Sequence, residues 1–151
     1  MSDNWICLIP RDPHFVPSDE AIKRAEALLA EITPNSDGIF SEITPVVQFR
    51  DCGGNFESIR CPVCNAQIST EWWGAQMDEN YLDSGFSLAQ ISTPCGHVAQ
   101  SLNELKYYFD QGFSKFILEV MNPNIATLGN PQIIQFENIL GCPLKIIYQH
   151  V

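Results

Sequence analysis

Apolar positions fall into two similar patterns at the ends of this chain, separated by a less regular stretch. Trp5 to Ile9 is a short apolar run closed by Pro10, which predicts a buried strand. A loop from Arg11 to Pro17 carries two prolines and ends where Ser18 can act as an N-cap. Asp19 and Glu20 suit the positive end of a helix dipole. Ile22, Ala25, Leu28, Leu29 and Ile32 then recur at helical spacing, with Lys23, Arg24, Glu26 and Glu31 between them. The polar run Pro34 to Gly38 stops that helix. Val46, Val47 and Phe49 predict a second strand, ended by Gly53-Gly54.

The last third repeats this order. Phe113 to Val120 predicts a strand with Phe116, Leu118 and Val120 on one face. Asn122-Pro123 breaks it. Asn130 is placed to cap a helix with Pro131 at its first position, where a missing N–H costs nothing. Ile133, Phe136, Ile139 and Leu140 form its apolar stripe, Gly141 stands just past its end, and Pro143 to Tyr148 supplies a final strand.

Both ends therefore read strand, loop, helix, strand, and together they give the order β-α-β-β-α-β. Over residues 4–50 and 113–149 this element order resembles the ferredoxin-like fold. The resemblance implies an α+β protein with a four-stranded antiparallel sheet and two helices on one face. It also implies one domain over residues 1–151, with residues 51–110 inserted between the second and third strands.

The chain has 151 residues and 45% hydrophobic content, enough for one packed domain. No apolar run approaches the ~18 residues of a membrane span. The first ten residues lack the basic start and long apolar stretch of a secretion signal. Six cysteines without an export signal point to a reducing, cytoplasmic setting, where closely spaced thiols act as ligands more often than as disulfides. The formal charge is −10, and residues 51–110 contribute eight acids against two bases. Such a chain repels phosphate backbones and suits a basic partner, although solubility alone would also account for the charge.

The chemistry concentrates in the middle. Cys61-Pro-Val-Cys64 places two thiols two residues apart, and Cys95-Gly-His97 places a thiol beside an imidazole after thirty intervening residues. Two such pairs are the donor set of a tetrahedral Zn²⁺ site. Glu57 to Arg60 and Ala66 to Thr70 predict strands flanking the first pair, with Asn65 suited to the left-handed turn. Phe86 to Ser92 and Val98 to Leu102 predict a second hairpin around Cys95. Over residues 57–102 this resembles a zinc ribbon, although Cys-Gly-His departs from the usual second Cys-x-x-Cys. Cys52, beside Gly53-Gly54, is the rival for the fourth ligand. Four protein ligands would leave no open position, so the zinc would be structural.

From Thr70 a short helix would bring Trp73, Met77 and Tyr81 onto one face, with Trp72 pointing elsewhere and Asp78, Glu79 and Asp83 as an acidic rim. These aromatics either pack the helix against the zinc module or anchor a protein partner. His14 and His150 read as surface residues, Cys7 and Cys142 as core thiols.

These features favour a non-enzymatic zinc-binding module that contacts another protein, a basic one in view of the charge, in the manner of immunity or antitoxin proteins. A thiol–disulfide enzyme using Cys61 and Cys64 is the alternative, yet no helix opens after them to lower a thiol pKa. A nucleic-acid-binding zinc ribbon would need bases near the knuckles, and only Arg60 and Lys106 lie in residues 51–110. A zinc hydrolase would need an open metal site with a base, and no His-Glu-x-x-His motif occurs.

Overall fold

The alternation of strand and helix expected at both ends is present in the computed structural model, which describes residues 2–97 and 101–151. The first unit is β1 (Asn4–Pro10), α1 (Asp19–Ile32) and β2 (Gly38–Arg50). The middle segment holds β3 (Ser58–Arg60), β4 (Gln67–Ile68), α2 (Thr70–Asn80), β5 (Tyr81–Leu82), β6 (Gly85–Phe86) and β7 (Lys106–Tyr108). The last unit is β8 (Gly112–Met121), α3 (Asn130–Leu140) and β9 (Leu144–His150). The result is a mixed α+β structure.

The end units interleave. Their four strands form one sheet in the order β2-β8-β1-β9, with every neighbouring pair antiparallel. Ile6 lies opposite Val120 on one side and Tyr148 on the other. Alternate side chains then divide between two faces. Ile6, Leu8, Phe116, Leu118, Val120 and Leu144 meet Ala25 and Leu29 of α1 and Phe136 and Leu140 of α3, so both helices share one core. Cys7, Ile9, Ile117 and Ile147 belong to a separate cluster with Cys52.

Local chemistry explains the helix ends. The Ser18 hydroxyl accepts the Ala21 N–H at 3.2 Å, and Asp19 and Glu20 occupy the first turn of α1. Gly141 ends α3 with φ 81°, a left-handed conformation that glycine adopts without steric cost. The expected cap of α3 shifts by one residue. Gly129 is the N-cap, Asn130 is already helical, and the Gln132 side chain accepts the Gly129 N–H at 2.8 Å. The missing cap hydroxyl is thus offset by a side chain reaching back from the first turn.

β2 is much longer than its apolar residues suggest. Between the pairs Ile43–Phe116 and Gln48–Ser114 it carries more residues than β8, so the register shifts. Beyond that irregularity Val47 and Phe49 enter a second core, built from Ile59, Cys61, Ile68, Leu102, Leu105, Tyr107 and Phe113. Here the sheet hands over to the middle segment, whose own sheet has the order β4-β3-β7.

The turn at Asp51 to Gly54 ties the start of that segment to the C-terminal strand. Asp51 accepts the Gly53 N–H at 3.0 Å, and the Gly54 N–H reaches the His150 carbonyl at 2.8 Å. Gly53 has φ +61°, and a Cβ there would stand 2.3 Å from the His150 oxygen. Gly53→Ala should therefore lower the free energy of unfolding by more than about 1 kcal/mol, because it adds a backbone clash to an unfavourable dihedral. Urea denaturation checks this, and an unchanged midpoint would show that the turn relaxes freely.

Among the described residues, no helix is long and apolar enough to cross a membrane.

Candidate metal centre

The first ligand turn follows from the short β3–β4 pairing, in which Ile59 lies opposite Ile68. Cys61 donates its N–H to the Ala66 carbonyl, and Asn65 donates to the Cys61 carbonyl, each at 2.9 Å. Asn65 takes φ 63°, the left-handed conformation that its short polar side chain tolerates. The turn aims the backbone N–H groups of Cys64 and Val63 at the Cys61 sulfur, and that of Ala66 at Cys64.

The second turn is built differently. Phe86 to Ser92 was expected to be a strand, but only Gly85–Phe86 is, and it pairs with Tyr81–Leu82. Leu88 and Ile91 instead pack individually against the second core. The expected return strand, Val98 to Leu102, falls partly on residues 98–100, which lie outside the described residues. Leu102 begins a short 3₁₀ turn, and β7 pairs with β3. The second hairpin of a zinc ribbon is therefore not formed by Phe86 to Ser92. Cys95 sits in a loop closed by the Gly96 N–H on the Thr93 carbonyl at 3.0 Å, with Gly96 at φ +81°.

The two turns converge. One donor atom from each of Cys61, Cys64, Cys95 and His97 lies within 4.8 Å of every other. The Cys64 and Cys95 sulfurs are 3.6 Å apart, and the His97 Nδ1 is 3.4 Å from the Cys95 sulfur. A tetrahedral zinc with bonds of about 2.3 Å to sulfur and about 2.0 Å to nitrogen requires edges of roughly 3.8 and 3.5 Å. The four side chains can thus hold a metal ion, and their soft and borderline donors favour zinc.

The thiols also compete for negative charge. The Cys61 thiol is shifted down chiefly by the Cys64 N–H. Cys95 is lowered to about 7, first by the Thr93 hydroxyl. Cys64 is pushed up: the Ala66 N–H favours its thiolate, but desolvation and the sulfurs of Cys95 and Cys61 outweigh that. Adjacent sulfurs cannot all ionise cheaply without a cation among them.

Thr93 is the residue that spacing rules miss. It is buried, its Oγ1 lies 3.1 Å from the Cys95 sulfur and 3.8 Å from that of Cys61, and it accepts the His97 N–H at 3.3 Å. One hydroxyl thereby organises three of the four ligands. Thr93→Val keeps the shape and removes the hydroxyl. It should weaken zinc binding about 10- to 100-fold, the usual cost of losing an outer-shell partner. Competition with a chromogenic chelator measures this, and unchanged affinity would remove Thr93 from the site.

The remaining candidates lie elsewhere. Cys52 is buried, with its N–H and its thiol both on the Gln111 Oε1 at 3.3 and 3.4 Å. Cys7 is buried against Glu119, and Cys142 is buried in the helix-side core. His14 is exposed, and the His150 ring contacts the Asn4 side chain at 2.8 Å.

Ser69 caps α2 through a 3.2 Å bond from the Trp72 N–H. Trp72, Trp73 and Met77 all pack against the second core, while Tyr81 is half exposed at 49%. The Trp73 indole donates to the Tyr107 hydroxyl at 3.1 Å, and that hydroxyl donates to the Leu102 carbonyl at 2.6 Å. The tryptophans thus bind the helix to its own module, and the exposed part of the region is Tyr81 with Leu82, Asp78, Glu79 and Asp83.

Comparison of the chain with protein-family models, with curated proteins and with solved structures finds no significant match.

Proposed function

We propose that this chain is a non-enzymatic zinc-binding protein whose metal is structural and whose role is to contact another protein. The observation that carries the reading is the gathering of Cys61, Cys64, Cys95 and His97 within mutual reach. Four protein donors complete a tetrahedron and leave no position for a substrate. In this reading the chain is a single domain, with residues 51–110 as its zinc-binding insert. The frame is ferredoxin-like, a reading supported by β1 lying between β8 and β9 in the sheet. The first knuckle, set between β3 and β4, supports a ribbon-like module.

The partner is a basic protein, as for immunity or antitoxin proteins. The support is the net charge of −10, with the acids of residues 51–110 outnumbering the bases. The exposed Tyr81, Leu82, Asp78, Glu79 and Asp83 offer an aromatic and aliphatic centre with an acidic rim. The thiol–disulfide reading lacks this support, because Cys61 and Cys64 lie in a turn between strands rather than at a helix start.

Native mass spectrometry should find one zinc per chain. Affinity capture from the native lysate should then recover a basic protein that leaves the complex as salt is raised. A metal-free chain, or a bound partner that is acidic and indifferent to salt, would overturn the reading.

A further inference from the structure

An open cavity of about 440 Å³ lies between the first ligand turn and the four-stranded sheet, and its lining includes Pro62, Arg11, Lys106, Lys145, Glu104 and Asp110. Three of the chain's eight lysines and arginines line this one space, against a net charge of −10 for the whole molecule. Three cationic groups of a net-acidic molecule, with two carboxylates beside them, are thus gathered where a ligand of metabolite size would fit.

Lys145 makes the cavity unusual. Only 8% of its surface is exposed. Its ammonium donates to the carbonyl oxygens of Gln111 at 3.0 Å and Asn103 at 3.5 Å. Both acceptors are neutral, and buried ammonium groups ordinarily have an anionic partner. The carboxylates nearby are poorly placed to serve. Glu104 accepts the Ser101 N–H at 3.3 Å, closing the 3₁₀ turn. Asp110 favours the charged lysine, but burial outweighs it, and the like charge of Arg11 acts in the same direction as burial. Two cations therefore face one space, which is the arrangement that an oxyanion relieves. The Lys106 ammonium stands 5.8 Å from the centre of the Tyr108 ring.

We infer that this cavity binds a small anion through a phosphate or carboxylate group, with Lys145 and Arg11 as its cation pair. The site is separate from the metal centre and touches it only through Pro62 of the ligand turn. It goes beyond the proposed function, and neither stands or falls with the other. The two sources of such a group are a phosphorylated or a polycarboxylic metabolite, and inorganic phosphate and citrate serve as probes.

The zinc-loaded full chain is titrated with each probe by calorimetry at low ionic strength. Saturable one-site binding of at least one probe is expected, phosphate alone indicating a phosphoryl ligand and citrate alone a carboxylate one. Lys145→Met should weaken binding at least tenfold. Arg11→Gln should do the same, and because Arg11 is exposed this variant keeps the test available if Lys145→Met fails to fold. Lys23→Gln, on α1, should leave the affinity unchanged. The absence of saturable binding by both probes would overturn the inference, as would binding that Arg11→Gln and Lys23→Gln affect equally.

Discussion

Chelating the metal will release the middle segment while leaving the four-stranded sheet and its helices folded. Amide exchange should show protection lost from β3 to β7 and retained in α1, α3, β1 and β8. The two regions differ in what holds them. α1 and α3 share a core with buried Ile6, Leu8, Phe116, Leu118 and Phe136, which needs no metal. The middle sheet has strands of only 3, 2 and 3 residues, too short to persist alone. Structural zinc supplies about 10–16 kcal/mol in small zinc modules, far more than such strands provide. Removing it also leaves three neighbouring thiols, two of them against the Thr93 hydroxyl, with no cation to share. Uniform protection across the apo chain would mean that the aromatic core alone sustains the segment.

Phe113→Ala should cost about 3–5 kcal/mol, the usual range for truncating a fully buried phenylalanine. Phe113 is 0% exposed, and its ring centre lies 5.1 Å from that of Phe49 and 5.2 Å from that of Phe86. Phe49 belongs to β2, Phe86 to β6, and Phe113 itself to β8. The side chain therefore joins the four-stranded sheet to the middle segment. Its loss opens a cavity at that junction, and aromatic neighbours collapse poorly into such a space. Urea unfolding of the zinc-loaded protein measures the effect. A cost below about 1 kcal/mol would show that the two regions are only loosely joined.

Local signals in the sequence located the start of α1 and the end of α3. Ser18 and Gly141 mark the ends of α1 and α3 because capping acts within one turn. Asn65 marks the first ligand turn because few other residues accept its dihedral. Cys61, Cys64 and Cys95 were legible as candidates from their spacing, whereas the choice of His97 over Cys52 needed the fold that brings the two turns together.

What the sequence concealed depends on tertiary context. Residues 38–43 gave no strand signal because β2 is an edge strand, and its Phe40, Ser41, Glu42 and Ile43 are exposed. The apolar residues from Phe86 to Ile91 suggest one strand, yet the strand stops at Phe86, which pairs with Tyr81, while Leu88 and Ile91 pack against the second core. Trp72 and Trp73 could serve an interface or a core in the sequence, and the acceptor that Tyr107 offers the Trp73 indole is visible only in the folded chain. Thr93 carried no signal, since its role exists only once both turns have met.

X-ray absorption at the zinc edge tests the central claim most directly. Three sulfurs at about 2.3 Å and one nitrogen at about 2.0 Å are the predicted shell. A shell of oxygen donors, or one with fewer than three sulfurs, would contradict it.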